Sequence, residues 1–327
     1  MKRVLLGVMF FILAGAARGY GADQERVRVY MNPSMSSAPM IIANEEGFFK
    51  ERGIDIEFIK SQSTADALLF LLQGSVDAID GPLTAGIYNA VKEKQPVRIV
   101  AGTTQYVKGN DFSGILIQKV PGLPEDRAGL LKYLAAQKIA LPIRGSMPQY
   151  FIETLFERHG LAAENAGFQT MSFPFIVEGM ASGSLNAGFL IEPFISMARK
   201  KGSGFEFISL SDDFPATPAS FVFYGANFVQ KKKDLGVRFM QAYLKGCRQY
   251  ALGKTPRNVE LLTKALTLDE KVLSHMVWPA ISPDVFQPRP AVVQDFQAWL
   301  IKKLFLSSAI DTADMFDASF LNKAAKE

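Results

Sequence analysis

Serine, one residue and then proline recur as Ser37-Ala38-Pro39 and Ser146-Met147-Pro148, 109 residues apart. Each copy is followed 37 residues later by a related run, Gly74-Ser75-Val76-Asp77-Ala78 or Gly183-Ser184-Leu185-Asn186-Ala187. A further proline lies just beyond, in Gly81-Pro82-Leu83 and in Glu192-Pro193-Phe194. Serine is a favoured N-cap and proline is tolerated in the first helical turn, so the spacing predicts four helix starts, each directly after a strand. The first N–H groups of a helix have no partner inside it and carry partial positive charge, which is the chemistry of holding an anion or an oxygen-bearing group. In α/β folds such starts face the ligand crevice.

The residues around these starts refine that chemistry. The Ser146 hydroxyl suits an oxygen-bearing ligand group, or serves only as a cap. Gly81 would let a ligand approach the backbone, or satisfies turn geometry. Arg144 could pair with a carboxylate, sulfonate or phosphate, or lie solvated in its turn. Glu192 would repel a bare anion and prefer an N–H or O–H donor, although a helix start also stabilises it without a ligand. Among 26 phenylalanines, Phe173, Phe175, Phe194 and Phe223 fall near the inferred rim and suit a planar or partly apolar solute. Catalytic groupings are sparse. His159, His275 and Cys247 show no metal-ligand spacing, which leaves Asp80, Asp111 and Glu192 as the carboxylates within reach of a cleft.

The elements that must position these residues alternate. Strand Arg26–Tyr30, helix Ala38–Glu46, strand Ile54–Ile59, helix Ala65–Gln73 capped by Ser63 or Thr64, strand Val76–Ile79, helix Leu83–Lys92 started by Pro82, and strand Val97–Ala101 form a β-α-β-α-β-α-β series. That order implies a largely parallel sheet with helices on its faces. The apolar strand Asp111–Ile117 lacks a partner in the series and reads as a crossing into a second lobe, where the order repeats from Ile139 to Lys200. Ala219–Tyr224 reads as the crossing back, and Lys231 to Glu327 is mainly helical, with Trp278 and Trp299 in the core. The expected division is residues 23–110 with 225–327 around a continuous 111–224.

Residues 1–22 stand apart. Lys2 and Arg3 precede the apolar run Val4–Ala17, and small residues follow through Ala22, the order of a secretory signal peptide. The run is short for a bilayer span, and no cysteine stands where a lipoprotein would carry one, so the mature chain is expected to be soluble. Removing Lys2, Arg3 and Arg18 with that segment leaves 33 basic against 32 acidic residues. Such a balance, with no basic stripe longer than Lys231-Lys232-Lys233, gives no support for nucleic-acid binding. The single Cys247 forms no disulfide within the chain and reads as a buried small hydrophobe.

The run from Ser37 to Ile56, with Ala43-Asn44-Glu45-Glu46-Gly47-Phe48-Phe49 at its centre, resembles the opening of periplasmic solute-binding proteins of the nitrate, sulfonate, taurine and thiamine-pyrimidine group. Later landmarks follow in order: the Gly74 to Ala78 run, Pro142-Ile143-Arg144-Gly145-Ser146, the Gly183 to Ala187 run with Glu192-Pro193-Phe194, and Ala226-Asn227-Phe228-Val229. They extend from about residue 27 to 250, and nothing from Pro256 onward matches. The resemblance implies a two-lobed α/β fold of the type II periplasmic-binding-protein class, each lobe a mostly parallel sheet flanked by helices, with the ligand cleft between. It implies ligand contacts from Asn32, Ser34, Met35 and Ser36, from Gly81 and Thr84, from Gly145, Ser146 and Met147, and from Glu192 and Phe194.

By the same resemblance the chain is the periplasmic, monomeric binding component of an ABC importer, needing no cofactor. It would capture a small organic solute (a sulfonate, an aromatic or heterocyclic acid, or a pyrimidine-like compound) by hinge closure and deliver it to a permease and its ATPase. The alternatives are a ligand-presenting partner of a membrane sensor, or an enzyme on the same fold. The pyrimidine synthases that resemble this group depend on a histidine and a cysteine-rich iron motif, whereas this chain has only His159, His275 and Cys247, with no metal-ligand spacing among them.

Overall fold

The computed structural model describes residues 24–60, 66–163, 166–202, 204–284 and 291–326. The expected signal peptide and the expected caps Ser63 and Thr64 lie outside the described residues. Among those described, no helix is long and apolar enough to cross a membrane.

The chain runs through β1 (Glu25–Tyr30), α1 (Ala38–Glu45), α2 (Phe48–Glu51), β2 (Ile54–Ile59), α3 (Asp66–Leu72), β3 (Ala78–Gly81), α4 (Ala85–Lys92) and β4 (Arg98–Gly102). After the short β5 (Thr104–Gln105) come β6 (Ser113–Gln118), α5 (Arg127–Leu134), β7 (Lys138–Leu141), α6 (Met147–Arg158), β8 (Gly167–Thr170), α7 (Phe173–Ser182), β9 (Ala187–Ile191), α8 (Phe194–Lys201) and β10 (Phe205–Ser209). The return strand β11 (Phe221–Tyr224) leads to α9 (Lys233–Tyr250), α10 (Pro256–Leu266), α11 (Glu270–His275), β12 (Ala280–Ile281), α12 (Ala291–Lys302) and α13 (Ser319–Ala324).

Two five-stranded sheets result, ordered β2-β1-β3-β11-β4 and β8-β7-β9-β6-β10. In each, β1 or β7 pairs in parallel with its two neighbours, and one strand runs against the rest, β11 in the first and β6 in the second. These two antiparallel strands are the ones expected to cross between lobes. The 109-residue register holds in three dimensions, because α1 and α6, β3 and β9, and α4 and α8 begin that far apart. Each sheet is therefore one copy of the same winding, with the crossing strand of the other half inserted beside its third strand.

Several features escape the sequence pattern. Pro82 does not start a helix. The chain stays extended to Thr84, whose hydroxyl accepts from Ile87 N as the N-cap of α4. Strand β10 and helix α5 carry no local signal strong enough to be seen. Ser37 and Ser146 stand before their helices without capping them by a side-chain bond.

The two crossings run side by side as a narrow ribbon. Tyr106 N donates to Thr217 O at 2.9 Å, Ala219 N to Thr104 O at 2.8 Å, and Thr103 N to Ser220 O at 3.0 Å. β12 adds an antiparallel edge to β5, so the C-terminal region is fastened to the hinge.

The C-terminal helices complete the first half's core. Helix α9 lies on α1 so closely that a Cβ added at Gly246 would stand 2.1 Å from Pro39 O and 2.9 Å from the Ala43 Cβ. Because the obstructing atom is backbone, Gly246→Ala must push the two helices apart. The roughly 1 kcal/mol gained in helix propensity does not offset that movement. We expect a net loss of about 1–3 kcal/mol in denaturant unfolding, and an unchanged midpoint would refute this account of the packing.

Candidate functional site

Between the two sheets lies an atom-free space of about 680 Å³, partly open to solvent. The loop after β1 contributes Asn32, Met35 and Ser36, and the end of β3 contributes Gly81 and Pro82. From the second half come Pro142, Ile143, Ser146 and Pro148 around the start of α6, Phe173 at the start of α7, and Phe189, Ile191 and Glu192 at the end of β9. The crossings supply the remaining wall with Thr104, Tyr106, Phe112, Ser113, Ala219 and Ser220, and Pro279 closes it from the C-terminal region.

The expected helix starts lie around this space, but several of the N–H groups there are already taken. Met147 N donates to Leu83 O at 3.0 Å and Ala85 N donates to Gly145 O at 2.7 Å, so Thr84 and Ser146 form an antiparallel bridge between the halves. Across the chamber Met35 N donates to Glu192 O at 3.2 Å. Leu83 and Glu192 are 109 residues apart, so the two acceptor carbonyls are equivalent positions of the repeat. The expectation of free helix starts is thus corrected: a helix start of one half is held by the carbonyl before a helix of the other.

Ser146 is almost fully buried and its hydroxyl donates to Ile143 O at 2.6 Å. Glu192 is buried too. Its Oε2 accepts from Ser196 N at 3.1 Å and its Oε1 from the Ser196 hydroxyl at 2.9 Å, so it also serves the first turn of α8. Burial raises its pKa, and the bonds from Ser196 partly offset that. The peptide bond from Glu192 to Pro193 is cis.

Of the residues expected to contact a ligand, Asn32, Met35, Ser36, Gly81, Ser146 and Glu192 line the chamber. Thr84 and Arg144 instead line a neighbouring cavity with Asp80, and Arg144 is exposed. Ser34 lies beneath the loop, bonded to Ser36. Gly145 and Met147 are buried beside the bridge, where their backbone groups are used. Phe194 sits behind Phe173, stacked at 4.9 Å, and does not reach the space itself. Of the other rim phenylalanines, Phe175 is exposed and Phe223 belongs to the β11 core. Among the lining residues that sequence reasoning missed are the hinge residues Thr104, Tyr106, Ser113 and Ser220. The signal was available, since they flank the two crossing strands that the pattern had already located.

Asp80 lies under the loop that carries Ser36. Its carboxylate accepts from the Ser36 hydroxyl at 2.8 Å and from the Ser37 hydroxyl at 3.0 Å. Burial pushes its pKa up from 3.8 to about 6, against the lowering effect of both hydroxyls. The folded state therefore holds this proton more tightly than the unfolded chain. Its contribution to stability is greatest below pH 4, declines as pH rises through about 6 and is absent above. Between pH 5 and 7.5 the wild type should lose about 1 kcal/mol relative to Asp80→Asn. Denaturant titrations of both proteins check this, and parallel pH profiles would show that Asp80 is not the group responsible.

Among the described residues no group of three His, Cys, Asp or Glu could hold a metal. His159 and His275 turn Nδ1 to carbonyls of their own helices, and burial pushes the Cys247 thiol up to about 12. A partly open chamber with apolar walls and a few polar groups is suited to holding a small molecule.

Residues 21–266 match the NMT1-like family over their whole extent. The chain belongs to that family. YtlA of Bacillus subtilis, named as a binding protein, is 26% identical over 245 residues, covering 73% of this chain and 70% of YtlA. The ligand-binding component of an ABC-type import system from Staphylococcus aureus superposes with a TM-score of 0.77 at 16% identity, over 93% of this NMT1-like chain and 100% of that one. The periplasmic nitrate-binding protein NrtA from Synechocystis gives 0.73 at 15% identity, over 92% and 88%. These likenesses establish the fold as that of periplasmic binding proteins. The desulfurization enzyme DSZB shares it as well, with a TM-score of 0.63 at 13% identity over 92% of this chain and 99% of that one. Function in an NMT1-like chain must accordingly be argued from its own site.

Proposed function

We propose that this chain is the extracytoplasmic solute-binding component of an ABC importer. Its lobes comprise residues 23–110 with 225–327 and residues 111–224, with β11 (Phe221–Tyr224) at the boundary lying in the sheet of the first, and it acts in the periplasm as a monomer after loss of residues 1–22. The observation that carries the reading is the chamber between the lobes, walled by Phe112, Phe173 and Phe189, edged by hydroxyls and bordered by the buried Glu192. Family membership and the likeness to import-system proteins support it.

Among the described lining residues there is no Lys, Arg or His, and Glu192 would stand beside any bound anion. Bringing a sulfonate or nitrate into such a space without a counter-charge is costly. Within the classes open to the family, the chamber therefore favours a neutral, planar or partly apolar solute of the pyrimidine-like kind. Closure follows from the backbone bonds that join Leu83, Ala85, Gly145 and Met147: a solute that touches both lobes adds contacts to the closed form alone and shifts the population towards it.

Native mass spectrometry of protein purified from periplasm tests the reading. One equivalent of a small neutral molecule, released unchanged on denaturation without added metal or nucleotide, is the expected result. Conversion of that molecule at more than one equivalent per protein would make the chain an enzyme and overturn the proposal.

A further inference from the structure

Two groups of hydroxyls on the hinge wall hold more protons than they can place among themselves. Thr103 and Thr104 belong to the first crossing and Ser220 to the second. Ser220 Oγ is 2.6 Å from Thr104 Oγ1, is hydrogen-bonded to Thr103 Oγ1, and accepts from Thr104 N at 3.3 Å. Three hydroxyls bring three protons, and the two contacts between them use two. If the third proton stayed on Thr103, which is fully buried behind the wall, it would bear the whole cost of an unmade buried bond. On Thr104 or Ser220 it faces the chamber that both residues line. The second group repeats the pattern. Ser113 Oγ donates to Tyr106 Oη at 3.1 Å, both residues line the chamber, and the phenolic proton has no acceptor among the described residues.

We infer that the hinge wall is a built hydrogen-bond donor surface, formed by Thr104, Tyr106, Ser113 and Ser220, that selects a solute carrying an uncharged acceptor such as a carbonyl oxygen or ring nitrogen. Glu192 supplies the complementary requirement, because a carboxylate accepts only. The solute is then neutral and bears both an acceptor and an N–H or O–H donor. This rests on the binding-protein reading and narrows it to a ligand class. The two crossings share the Thr104 to Ser220 contact, so the acceptor is gripped where the lobes pivot.

Four isosteric probes separate the possibilities by calorimetry: benzamide (acceptor and donor), acetophenone (acceptor only), benzamidine (cation, donors only) and benzoate (anion, acceptors only). Benzamide should bind at least tenfold more tightly than the other three. Its advantage over benzamidine should shrink in a Tyr106→Phe, Ser113→Ala double variant, and its advantage over acetophenone should shrink in Glu192→Gln. Rescue of the first advantage by restoring Ser113 alone, which frees its own proton, is expected. Benzoate or benzamidine binding as tightly as benzamide would overturn the inference, as would the absence of benzamide binding. The solute-binding reading is judged separately by the co-purified molecule, so the two fail by different signs.

Discussion

Lys303→Met is expected to destabilise the protein by about 3 kcal/mol, while Lys302→Met one residue earlier should cost under about 1 kcal/mol. The contrast follows from what each ammonium faces. Lys303 Nζ lies 2.7 Å from Glu153 Oε2, on a carboxylate that is 3% exposed, and is itself 26% exposed. Lys302 pairs with Glu157 at 3.2 Å, where both groups are in water. Removing one partner of a buried pair leaves the other charge uncompensated, whereas a solvated pair loses little. The partial exposure of Lys303 places its effect at the low end of the range for buried pairs.

Glu153 also accepts from Gln149 Nε2 at 2.9 Å and from Trp299 Nε1 at 3.0 Å, and Gln149 in turn accepts from Gly145 N at the start of α6. On its other side α12 is tied to α4 by the Tyr88 hydroxyl, which donates to Val293 O at 2.6 Å. Helix α12 therefore spans the two helices whose starts form the bridge between the lobes. Denaturant unfolding of the two lysine variants checks the account, and equal losses would contradict the burial of the Glu153 pair.

The second large effect concerns the chamber. Ala219→Trp places an indole at a lining position of the return crossing, whose backbone N–H is held by Thr104 O at 2.8 Å and cannot withdraw without breaking the hinge ribbon. Affinity for the co-purified solute should fall at least 100-fold, or about 2.7 kcal/mol, with the circular dichroism spectrum unchanged. Retained affinity with an intact fold would show that the solute binds elsewhere.

Much of this fold can be read from the chain before any coordinates. The repeat at 109 residues places α1 with α6 and α4 with α8, because serine, proline and glycine act through local backbone preferences that tertiary contacts leave in force. The crossings are legible for a related reason: Ser113–Gln118 and Phe221–Tyr224 are apolar strands with no parallel partner in their own series. What failed to show was decided at a distance. Pro82 looked like a helix start because local rules could not know that Leu83 O and Ala85 N would be claimed by Met147 and Gly145. Ser146 carried the signature of a cap, yet its hydroxyl turns back to Ile143 O. Arg144 sits in the right run and points to the wrong cavity. The hinge hydroxyls have no pattern of their own, and only the pairing of the two crossings brings Ser220 to Thr104.

A crystal structure of the protein with its co-purified solute addresses the central claim most directly. The account predicts one molecule in the space between Phe112, Phe173 and Glu192, within hydrogen-bonding distance of Tyr106 or Ser220, with the Thr84 to Ser146 bridge intact. Solute found outside this chamber, or inside it without contact to both lobes, would contradict the account.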